Sequence, residues 1–455
     1  MKPHRKVVAV VAMALLVAAC GGRSGTGTEE TARPATTSTA FGDLSAVCGP
    51  GTPSSAPAHG VTAKEVKVGV FTDVGFTKKP ELVDAAKVFT EWCNAAGGIN
   101  GRRIVAETRD TKMMEVRQRM LDACREDFAL VGGSASLDGL GVKDRLSCLL
   151  PEFSAQVSQP ENIESDLQIN ASPSTFARYE PYFGLRQWLF KEAYPQSAGA
   201  VGVINGDSPV TKVLGAKAVE SITAAGGTVT YNELYPAAGV SDWTPYAQSI
   251  KSKGVRGLLF LGSYAQLAKL EDVLTGMDYK LDWIDANNNA YNQSFVELLG
   301  RSADYQNNLV DLGGVVPFEN QSVAAMRQLH ELYKTYAPDA EITMPALRAF
   351  SSWLLFAKAA SSCGDALTRK CVVDAATKET AWTGGGLHTA NDLSSEEPAP
   401  KCFSVLRASS QGWKPADFAP NQDGFRCGGQ PYRYTGNYPA PMTLADVGKS
   451  MSDLK

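Results

Sequence analysis

Polar side chains follow several apolar runs in the first third of this chain, and their types suit the binding of an anion. Hydroxyl residues beside helix N-termini bind carboxylates well, because free backbone N–H groups and the helix dipole point the same way. The residues that we expect to contact a ligand follow the runs VKVGVF, FALVGG and LLPEF: Thr72, Asp73, Phe76, Ser134, Ser136, Ser154, Ala155 and Ser158. The alternative interpretation of each serine is a helix cap or a turn former.

A second set of polar and aromatic residues follows the apolar runs AVGVI, GLLFLGS and LDWIDA in the middle of the chain. A carboxylate can pair with an ammonium group, and an aromatic ring can cover the apolar part of a small ligand. The residues that we expect to contact a ligand here are Asn205, Asp207, Tyr264, Asn287 and Tyr291. Together the two sets predict a binding site for a small polar solute.

Motifs for catalysis are weak or missing in this sequence. It contains no HExxH motif and no G-x-x-x-x-G-K-[ST] phosphate loop, and GGSASLDG has a serine where a GxSxG motif needs its closing glycine. Only His330 and His388 lie beyond residue 60, and no CxxC pair offers a metal site. We therefore expect no enzyme, no cofactor and no metal. A secreted hydrolase that uses a pair of its many acids is the alternative.

The spacing of apolar residues predicts the elements that position these side chains. VKVGVF is a buried strand, and the apolar residues after it recur at three- and four-residue intervals, which indicates a helix. Gly97 and Gly98 end that helix, and Asn100-Gly101 is a tight turn into a second strand that ends at Asp110. Such a unit begins a parallel sheet, which holds ligands at the carboxyl ends of its strands.

The same alternation of strands and helices returns after residue 198 and predicts a second α/β sheet. Because roughly 400 residues follow residue 60, more than one core holds comfortably, we expect two domains. We expect the last stretch of about 70 residues, rich in Gly and Pro, to add strands and loops to the second domain. The predicted strands are 199–204, 228–234, 255–261, 281–286 and 309–316, with helices near 211–225, 243–253, 264–276 and 292–299.

Three segments in order, GVTAKEVKVGVF, NAAGGINGRRIVAETRD and FALVGG, resemble the type I periplasmic binding proteins, and the resemblance continues more loosely through PALRAFSSWLLFAKAASSCGDALTRKCV. This family includes the leucine/isoleucine/valine-binding proteins, the solute receptors of ABC importers. The resemblance implies an α/β fold of two doubly wound, Rossmann-like lobes joined by three crossovers near residues 175, 318 and 390. The first lobe would comprise 61–175 plus 319–390, and the second 176–318 plus 391–455.

The function implied by this resemblance is a monomeric receptor whose lobes close around an amino acid, an amide or a related carboxylate. In the family, loops at the positions of Ser134 and Ser154 bind the ligand carboxylate. This chain departs from the family near GSYAQLAKLED, where Gln266 stands close to the acid that usually binds the ammonium group. The implied partners are a membrane permease and its ATPase subunits. A ligand-sensing receptor on the same fold, coupled to a signalling protein, is the alternative.

The amino terminus predicts export and lipid anchoring. Basic residues 4–6 precede an uninterrupted apolar run from Val7 to Ala19, too short for a transmembrane helix, which indicates a signal peptide over residues 1–19. Val17-Ala18-Ala19-Cys20 resembles a bacterial lipobox, in which the cysteine receives diacylglycerol. The alternative is an ordinary cleaved signal peptide. Residues 20–60, rich in Gly, Ser, Thr, Ala and Pro, would form a disordered tether on the extracytoplasmic face of the cell membrane.

The charge of the chain argues against a nucleic-acid partner. Its formal net charge is −4, and removal of the basic signal peptide makes the remainder more acidic. No long Lys/Arg cluster remains after that, so neither a nucleic-acid surface nor a polybasic membrane patch is expected.

Nine cysteines minus the lipidated one leave eight, an even number that suits disulfides in an exported protein. The sequence alone allows 105 pairings of eight cysteines. Two pairs are favoured because Cys363 and Cys371 flank a short turn between helical segments, and Cys402 and Cys427 flank a strand and a loop. Cys124 and Cys148 precede neighbouring predicted strands, so we expect them to pair, and Cys48 would then meet Cys93. The sequence leaves the exact pairing of these last four cysteines open.

Overall fold

The computed structural model of the protein describes residues 39–455. The predicted signal peptide, the predicted lipid attachment at Cys20 and the first part of the predicted tether lie outside the described residues. Across residues 39–455, no helix combines the length and the apolar character needed to cross a membrane.

The first lobe is built on a parallel sheet of five strands in the order β2-β1-β3-β4-β5. The helices that alternate with these strands place successive strands in parallel, so that all carboxyl ends meet at one edge. The strands are β1 (Glu65–Thr72), β2 (Arg103–Asp110), β3 (Leu130–Val131), β4 (Glu152–Ser154) and β5 (Gln168–Asn170), and the helices are α1 (Val74–Thr77), α2 (Glu81–Ala95), α3 (Val116–Glu126) and α4 (Gly139–Ser147).

Helix α2 and its ending confirm the sequence prediction for this region. The apolar stripe, which includes Leu82, Phe89 and Trp92, is buried against the sheet. After the helix, Gly97 and Gly98 adopt positive φ angles of 107° and 74°. A Cβ atom on Gly98 would lie 2.1 Å from the carbonyl oxygen of Arg102, so the turn into β2 requires glycine there.

The second lobe has a sheet of seven strands in the order β13-β12-β10-β9-β8-β6-β7, parallel from β10 to β7 and antiparallel at its other edge. Its parallel strands are β6 (Val201–Asp207), β7 (Val229–Pro236), β8 (Gly257–Leu261), β9 (Trp283–Asp285) and β10 (Asn308–Asp311), with helices α5 (Phe183–Trp188), α6 (Pro209–Ala224), α7 (Thr244–Ser252), α8 (Tyr264–Gly276), α9 (Gln293–Leu299) and α10 (Ser302–Tyr305). All five predicted strands are confirmed, and so is the α/β fold with two lobes.

Three helices after β10 belong to the first lobe: α11 (Ala324–Tyr336) packs on α2, α12 (Met344–Ser362) packs on β3 and β4, and α13 (Arg369–Ala376) packs on α12. The ring of Trp353 in α12 stacks on Phe89 of α2, with centroids 5.5 Å apart. The chain then returns to the second lobe through β11 (Cys402–Phe403), β12 (Val405–Ser409), β13 (Gly412–Pro415) and β14 (Arg426–Cys427). The connections 171–182, 312–323 and 377–401 therefore contain the three predicted crossover positions.

The predicted tether ends earlier than the sequence suggested. Phe41 is 0% exposed and packs its ring against Trp92 and Phe350, and Val47 is also buried. The prediction of disorder up to residue 60 was wrong for this part, because a few apolar residues in a polar stretch reach the core of the first lobe. The four predicted disulfides are confirmed: Cys48–Cys93, Cys124–Cys148, Cys363–Cys371 and Cys402–Cys427.

The last residues of the chain, 428–455, form what we call the C-terminal strap. Its first part lies on the second lobe, where Glu220 of α6 accepts hydrogen bonds from Tyr432 and Tyr438. Its second part lies on the first lobe, where the N–H of Met442 donates to the carbonyl oxygen of Glu161 at 3.0 Å. The expectation that the whole C-terminal segment belongs to the second lobe was therefore wrong. Apolar residues at its end, such as Leu444, bury in the first lobe's core.

Candidate functional site

Asp73 ties together the loops at the carboxyl edge of the first sheet. One oxygen of its buried carboxylate accepts hydrogen bonds from the Thr111 hydroxyl and from the N–H of Met113 at 2.9 Å. The other oxygen accepts from the N–H of Ser136 at 2.6 Å. These donors come from the loops after β2 and β3. Asp73, predicted as a ligand contact, therefore has both of its carboxylate oxygens hydrogen-bonded to groups of the protein itself.

The other predicted residues on this edge also have partners within the lobe. The hydroxyl of the buried Ser154 accepts from the side-chain amide of Gln168 at 2.7 Å. The N–H of Ser158 donates to the carboxylate of Asp138, whose pKa burial raises to about 7. Backbone bonds place the rest in the same loops: Thr72 to Thr111, Ser134 to Phe71 and Ala155 to Gly133. Phe76 in α1 differs, because its side chain is 62% exposed.

A polar cavity of about 20 Å³ lies at the carboxyl edge of the second sheet, where β8, β9 and β10 end. A space of this size holds about one water-sized group. Its wall combines two carboxylates, one guanidinium, one phenol, two amides and two leucines: Asp285, Asp311, Arg186, Tyr182, Asn287, Asn288, Leu259 and Leu261.

The carboxylate of Asp311 is the least satisfied group of this cavity. Its Oδ1 accepts from the backbone N–H groups of Gly313 at 2.7 Å and Ser404 at 3.3 Å, whereas Oδ2 has no hydrogen-bond partner. The side chain belongs to a residue only 1% exposed. Burial raises the pKa of Asp311 to about 8 and that of Asp285 to about 6, because an apolar environment disfavours the charged form.

The guanidinium of Arg186 does not neutralise these acids by itself. It forms a 2.5 Å ion pair with Glu180, and its Nη1 also donates to the hydroxyl of Ser221. Because Glu180 supplies a full negative charge to the same guanidinium, the cavity and its immediate surroundings contain more carboxylates than cations.

Tyr182 joins this cavity to the first lobe. Its hydroxyl accepts from the side-chain amide of Asn288 at 2.7 Å, and it is also hydrogen-bonded to Arg348 of α12. Arg348 is 3% exposed, and its Nε has no hydrogen-bond partner. Burial lowers the pKa of this guanidinium. The two lobes therefore meet beside the polar cavity.

The predicted residues of the second lobe are only partly brought together. Asn287 lines the cavity, but Asp207 is exposed and pairs with Lys212 at 2.6 Å. Asn205 is buried against Gly215 of α6. The hydroxyl of Tyr291 donates to the carboxylate of Glu319 and accepts from the N–H of Phe318, so this residue holds a crossover segment.

A second contact between the lobes involves Tyr264, which the sequence predicts as a ligand contact. The Nζ of Lys79, in the loop between α1 and α2, donates to the Tyr264 hydroxyl at 2.8 Å. The same ammonium lies 4.1 Å from the centroid of the ring. Lys79 was missed because a lysine in an exposed loop has no distinguishing sequence signal.

The cavity residues Asp285, Asp311 and Tyr182 were also missed. A signal exists for two of them, since LDWIDA and LVDL each place a carboxylate at the end of an otherwise apolar strand. An acid in such a position is costly unless it is paired or functional. Tyr182 has no comparable signal, because it follows a crossover of irregular structure.

Ser351 and His388 form a pair that resembles part of a catalytic triad. The Ser351 hydroxyl lies 2.8 Å from His388 Nε2, and Nδ1 faces the carbonyl oxygen of Thr389 instead of a carboxylate. Both residues are buried, and burial lowers the pKa of His388 to about 4. The pair is therefore a core contact. Within residues 39–455, no group of three or more His, Cys, Asp or Glu residues is arranged to hold a metal ion.

Comparison with known sequences gives one family. The pattern of the family described as periplasmic binding protein matches residues 65–412, which is most of the chain. No curated protein matches the sequence.

Several solved structures share the fold at low sequence identity. A fatty acid ABC transporter substrate-binding protein from Thermomonospora curvata has a TM-score of 0.67 and 18% identity, covering 85% of this chain and 97% of its own. A leucine-binding protein from Thermotoga maritima has a TM-score of 0.63 and 14% identity, covering 77% and 97%. A branched-chain amino acid ABC transporter from Thermus thermophilus with bound valine has a TM-score of 0.62 and 13% identity, covering 78% and 96%. At these identities the similarity establishes the fold and leaves the solute open.

Proposed function

Because this chain belongs to the family of periplasmic binding proteins, we propose that it is the extracytoplasmic receptor of an ABC importer and closes its two lobes around a small polar solute. The candidate solutes are an amino acid, an amide or a related carboxylate. The similar structures are named for two such classes, branched-chain amino acids and fatty acids. All of these names refer to ABC transport, which favours an importer over a sensory receptor.

The observation that carries this proposal is the polar cavity at the carboxyl edge of the second sheet, where Tyr182 meets Arg348 of the first lobe. A solute that touches both lobes stabilises the closed arrangement by its difference in affinity for the two arrangements. A shift from mostly open to mostly closed requires on the order of 5 kcal/mol of that difference. The hydrogen bond between Lys79 and Tyr264 is a second contact that joins the two lobes in the closed arrangement.

A binding screen tests the receptor function. The purified protein is heated with common amino acids, amides, small carboxylates, fatty acids and sugars, and the melting temperature is measured. A ligand that binds only the native state raises this temperature. Small-angle X-ray scattering then compares the free and bound forms, and the bound form is expected to be the more compact. A hit consumed with turnover would favour a hydrolase and contradict the proposal.

The lipid anchor is a separate part of the proposal and rests on Val17-Ala18-Ala19-Cys20. Two or more acyl chains give stable anchoring, because each buried methylene contributes about 0.8 kcal/mol. In the full chain, Cys20→Ser is expected to move the protein from the membrane fraction to the soluble fraction without changing solute affinity. Unaltered membrane fractionation of this variant would contradict the anchor and leave the receptor function standing.

A further inference from the structure

The C-terminal strap, residues 428–455, leads from the second lobe back to the first. Within residues 39–455 the lobes are also joined by the three crossovers, so the strap adds a fourth covalent path between them. It lies beyond residue 412, where the match to the family pattern ends. The contacts of the strap on each lobe decide whether it is a loose tail or a fourth connection.

Glu220 of α6 holds the strap on the second lobe. Its carboxylate accepts hydrogen bonds from the hydroxyls of Tyr432 at 2.9 Å and Tyr438 at 2.6 Å. It also accepts from the backbone N–H groups of Thr435 at 2.6 Å and Gly436 at 3.1 Å. Burial disfavours the charged carboxylate, but the hydrogen bonds from Tyr438, Thr435 and Tyr432 outweigh it and lower the pKa of Glu220 to about 2. This carboxylate therefore stays charged at neutral pH.

Aromatic rings of the strap also pack on the second lobe. The ring of Tyr432 stacks on Phe183 of α5, with centroids 5.0 Å apart. The ammonium of Lys217 lies 4.7 Å from the ring centroid of Tyr434. Because Lys217 is only 5% exposed, its cation is largely desolvated, and a desolvated cation attracts an aromatic face more strongly than an exposed one. Side-chain contacts therefore bind the strap to the second lobe as far as Tyr438.

The strap pairs with the first crossover through backbone hydrogen bonds. The N–H of Glu180 donates to the carbonyl oxygen of Tyr432, and the N–H of Tyr434 donates to that of Arg178, both at 2.9 Å. The residues between these partners form an antiparallel bridge. The first crossover and the strap are therefore two strands of one short ribbon.

The second and third crossovers pair with each other in a similar way. The N–H of Val316 donates to the carbonyl oxygen of Leu387 at 3.0 Å, and the N–H of Thr389 donates to that of Gly314 at 2.7 Å. Paired segments resist bending more than a single chain, because their hydrogen bonds must deform with them. Each crossover therefore has a partner strand, and the partner of the first crossover is the strap.

A carboxylate of the third crossover links the two ribbons. Glu397 pairs with Arg178 of the first crossover at 2.6 Å and with Arg433 of the strap at 3.2 Å. All three side chains are about half exposed, and exposed ion pairs contribute little stability. The backbone bonds and the anchors at the ends of the strap therefore carry the connection, and the ion pairs place the ribbons side by side.

The strap is held again on the first lobe only four residues after its last contact with the second. The N–H of Met442 donates to the carbonyl oxygen of Glu161 at 3.0 Å, and the N–H of Leu444 donates to the carboxylate of Asp166 at 2.6 Å. Leu444 and Leu454 are each 2% exposed. The end of the strap therefore cannot leave the first lobe without exposing apolar surface to water.

The segment between the two anchors is short and stiff. Pro439, Ala440 and Pro441 separate Tyr438 on the second lobe from Met442 on the first. Proline restricts the backbone and favours an extended chain. Even when fully extended, the chain from Tyr438 to Met442 spans at most roughly 14 Å. The two anchor points therefore cannot move further apart than this unless one of them is released.

We infer that the C-terminal strap limits how far the lobes separate in the solute-free protein. This inference rests on the proposed receptor function, because it concerns the range of the same opening motion. A restricted range of open arrangements keeps a larger fraction of the protein close to the arrangement that binds. Since the apparent affinity falls in proportion to that fraction, release of the strap should weaken solute binding.

The experiment compares two insertions of the same Gly-Ser segment, six residues long. Between Ala440 and Pro441 the insertion raises the maximum span between the anchors to roughly 36 Å. Between Gly428 and Gly429 it lies before the second-lobe anchor and leaves this span unchanged. That position is the matched control, because both proteins have the same mass and a Cβ atom at either glycine would meet no neighbouring atom.

Small-angle X-ray scattering of the solute-free proteins is the measurement. We expect a larger radius of gyration for the insertion between Ala440 and Pro441 than for the control, and roughly three- to tenfold weaker binding of the solute found by the screen. Equal radii of gyration of the two free proteins would overturn the inference. Because the scattering is measured without solute, failure of the binding screen would contradict the receptor function and leave this result standing.

Two point substitutions test the second-lobe anchor without changing the length of the chain. Glu220→Gln places an amide nitrogen among donors that need an acceptor, so hydrogen exchange of residues 432–438 should become faster. The radius of gyration should rise by less than with the insertion. Glu192→Gln is the control, because Glu192 is an acid of the second lobe that pairs with Arg426 outside the strap. Equal exchange of residues 432–438 in the two substituted proteins would contradict the anchor at Glu220 and with it the inference.

Discussion

The carboxyl edges of the two sheets have the same topology but use their acids in opposite ways. In the first lobe Asp73 accepts three hydrogen bonds from neighbouring loops, and each of its two oxygens has a donor. In the second lobe Asp311 has an oxygen with no partner, and it lies next to a second acid. The acid of the first edge therefore stabilises neighbouring loops, whereas the acid of the second edge has a buried oxygen that no described residue donates to, which costs stability. The position of an acid at a strand end does not show whether the acid stabilises loops or remains unpaired. The number of donors that reach its oxygens in the fold does.

The largest effect that tests this comparison is the pH dependence of Asp311→Asn. The ordinary pKa of this carboxyl is 3.8, and burial raises it to about 8 in the folded state. Between these values the unfolded chain releases a proton that the folded protein keeps, so the folded wild type loses stability as the pH rises. The Asp311→Asn protein does not lose stability in this way. Its free energy of unfolding relative to the wild type should therefore rise by as much as about 5 kcal/mol from pH 4 to 8. Urea unfolding at several pH values measures it.

In that experiment Glu271 titrates in both proteins, so its contribution cancels in the difference, whereas Asp285 interacts with Asp311 and is counted together with it. A constant difference between variant and wild type across this range would show that Asp311 is not the costly group we describe.

The same substitution in the first lobe should have the opposite sign. Asp73→Asn replaces one carboxylate oxygen by an amide nitrogen, which cannot accept from the N–H groups of Met113 or Ser136. A buried donor left unpaired costs about 1–3 kcal/mol, and the free energy of unfolding should fall by roughly that amount. Urea unfolding near neutral pH gives the value. Asp207→Asn, an exposed acid paired with Lys212, should change it by less than about 1 kcal/mol. An Asp73→Asn protein with the same free energy of unfolding as the wild type would contradict the contrast between the carboxyl edges of the two sheets.

The smallest effect concerns the contact where the edges touch. Lys79→Met removes the hydrogen bond to Tyr264 and the cation over its ring, a contact worth about 0.5–1 kcal/mol at an exposed site. The affinity for a solute that binds by closure should fall two- to fivefold, while the free energy of unfolding stays within about 0.5 kcal/mol. Lys112→Met, which removes an ion pair within the first lobe, is the control. Equal affinity of the two variants would mean that closure does not use this contact.

The sequence predicted the architecture well, and the site only in part. The unit from β1 to β2 was predictable because its apolar period and its glycines are local signals. Two disulfides were predictable because their cysteines flank short segments, and Cys124–Cys148 because these cysteines precede neighbouring strands. Asp73 was predicted as a ligand contact from its place at a strand end, whereas the hydrogen bonds that it accepts come from the loops after β2 and β3 and could not be read from the sequence. Asp311 could have been predicted from its place at the end of an apolar strand, but its unpaired oxygen and the unpaired Nε of Arg348 are properties of the folded molecule that have no sequence pattern.

The disulfide between Cys48 and Cys93 has a mechanical consequence. It joins the segment that leads into the first lobe to helix α2, well before the chain reaches any crossover. A pulling force applied to the chain before Cys48 therefore acts on the first lobe and not on the crossover segments between the lobes. A force on the segment before Cys48 therefore does not by itself separate the two lobes, and the second lobe can still rotate.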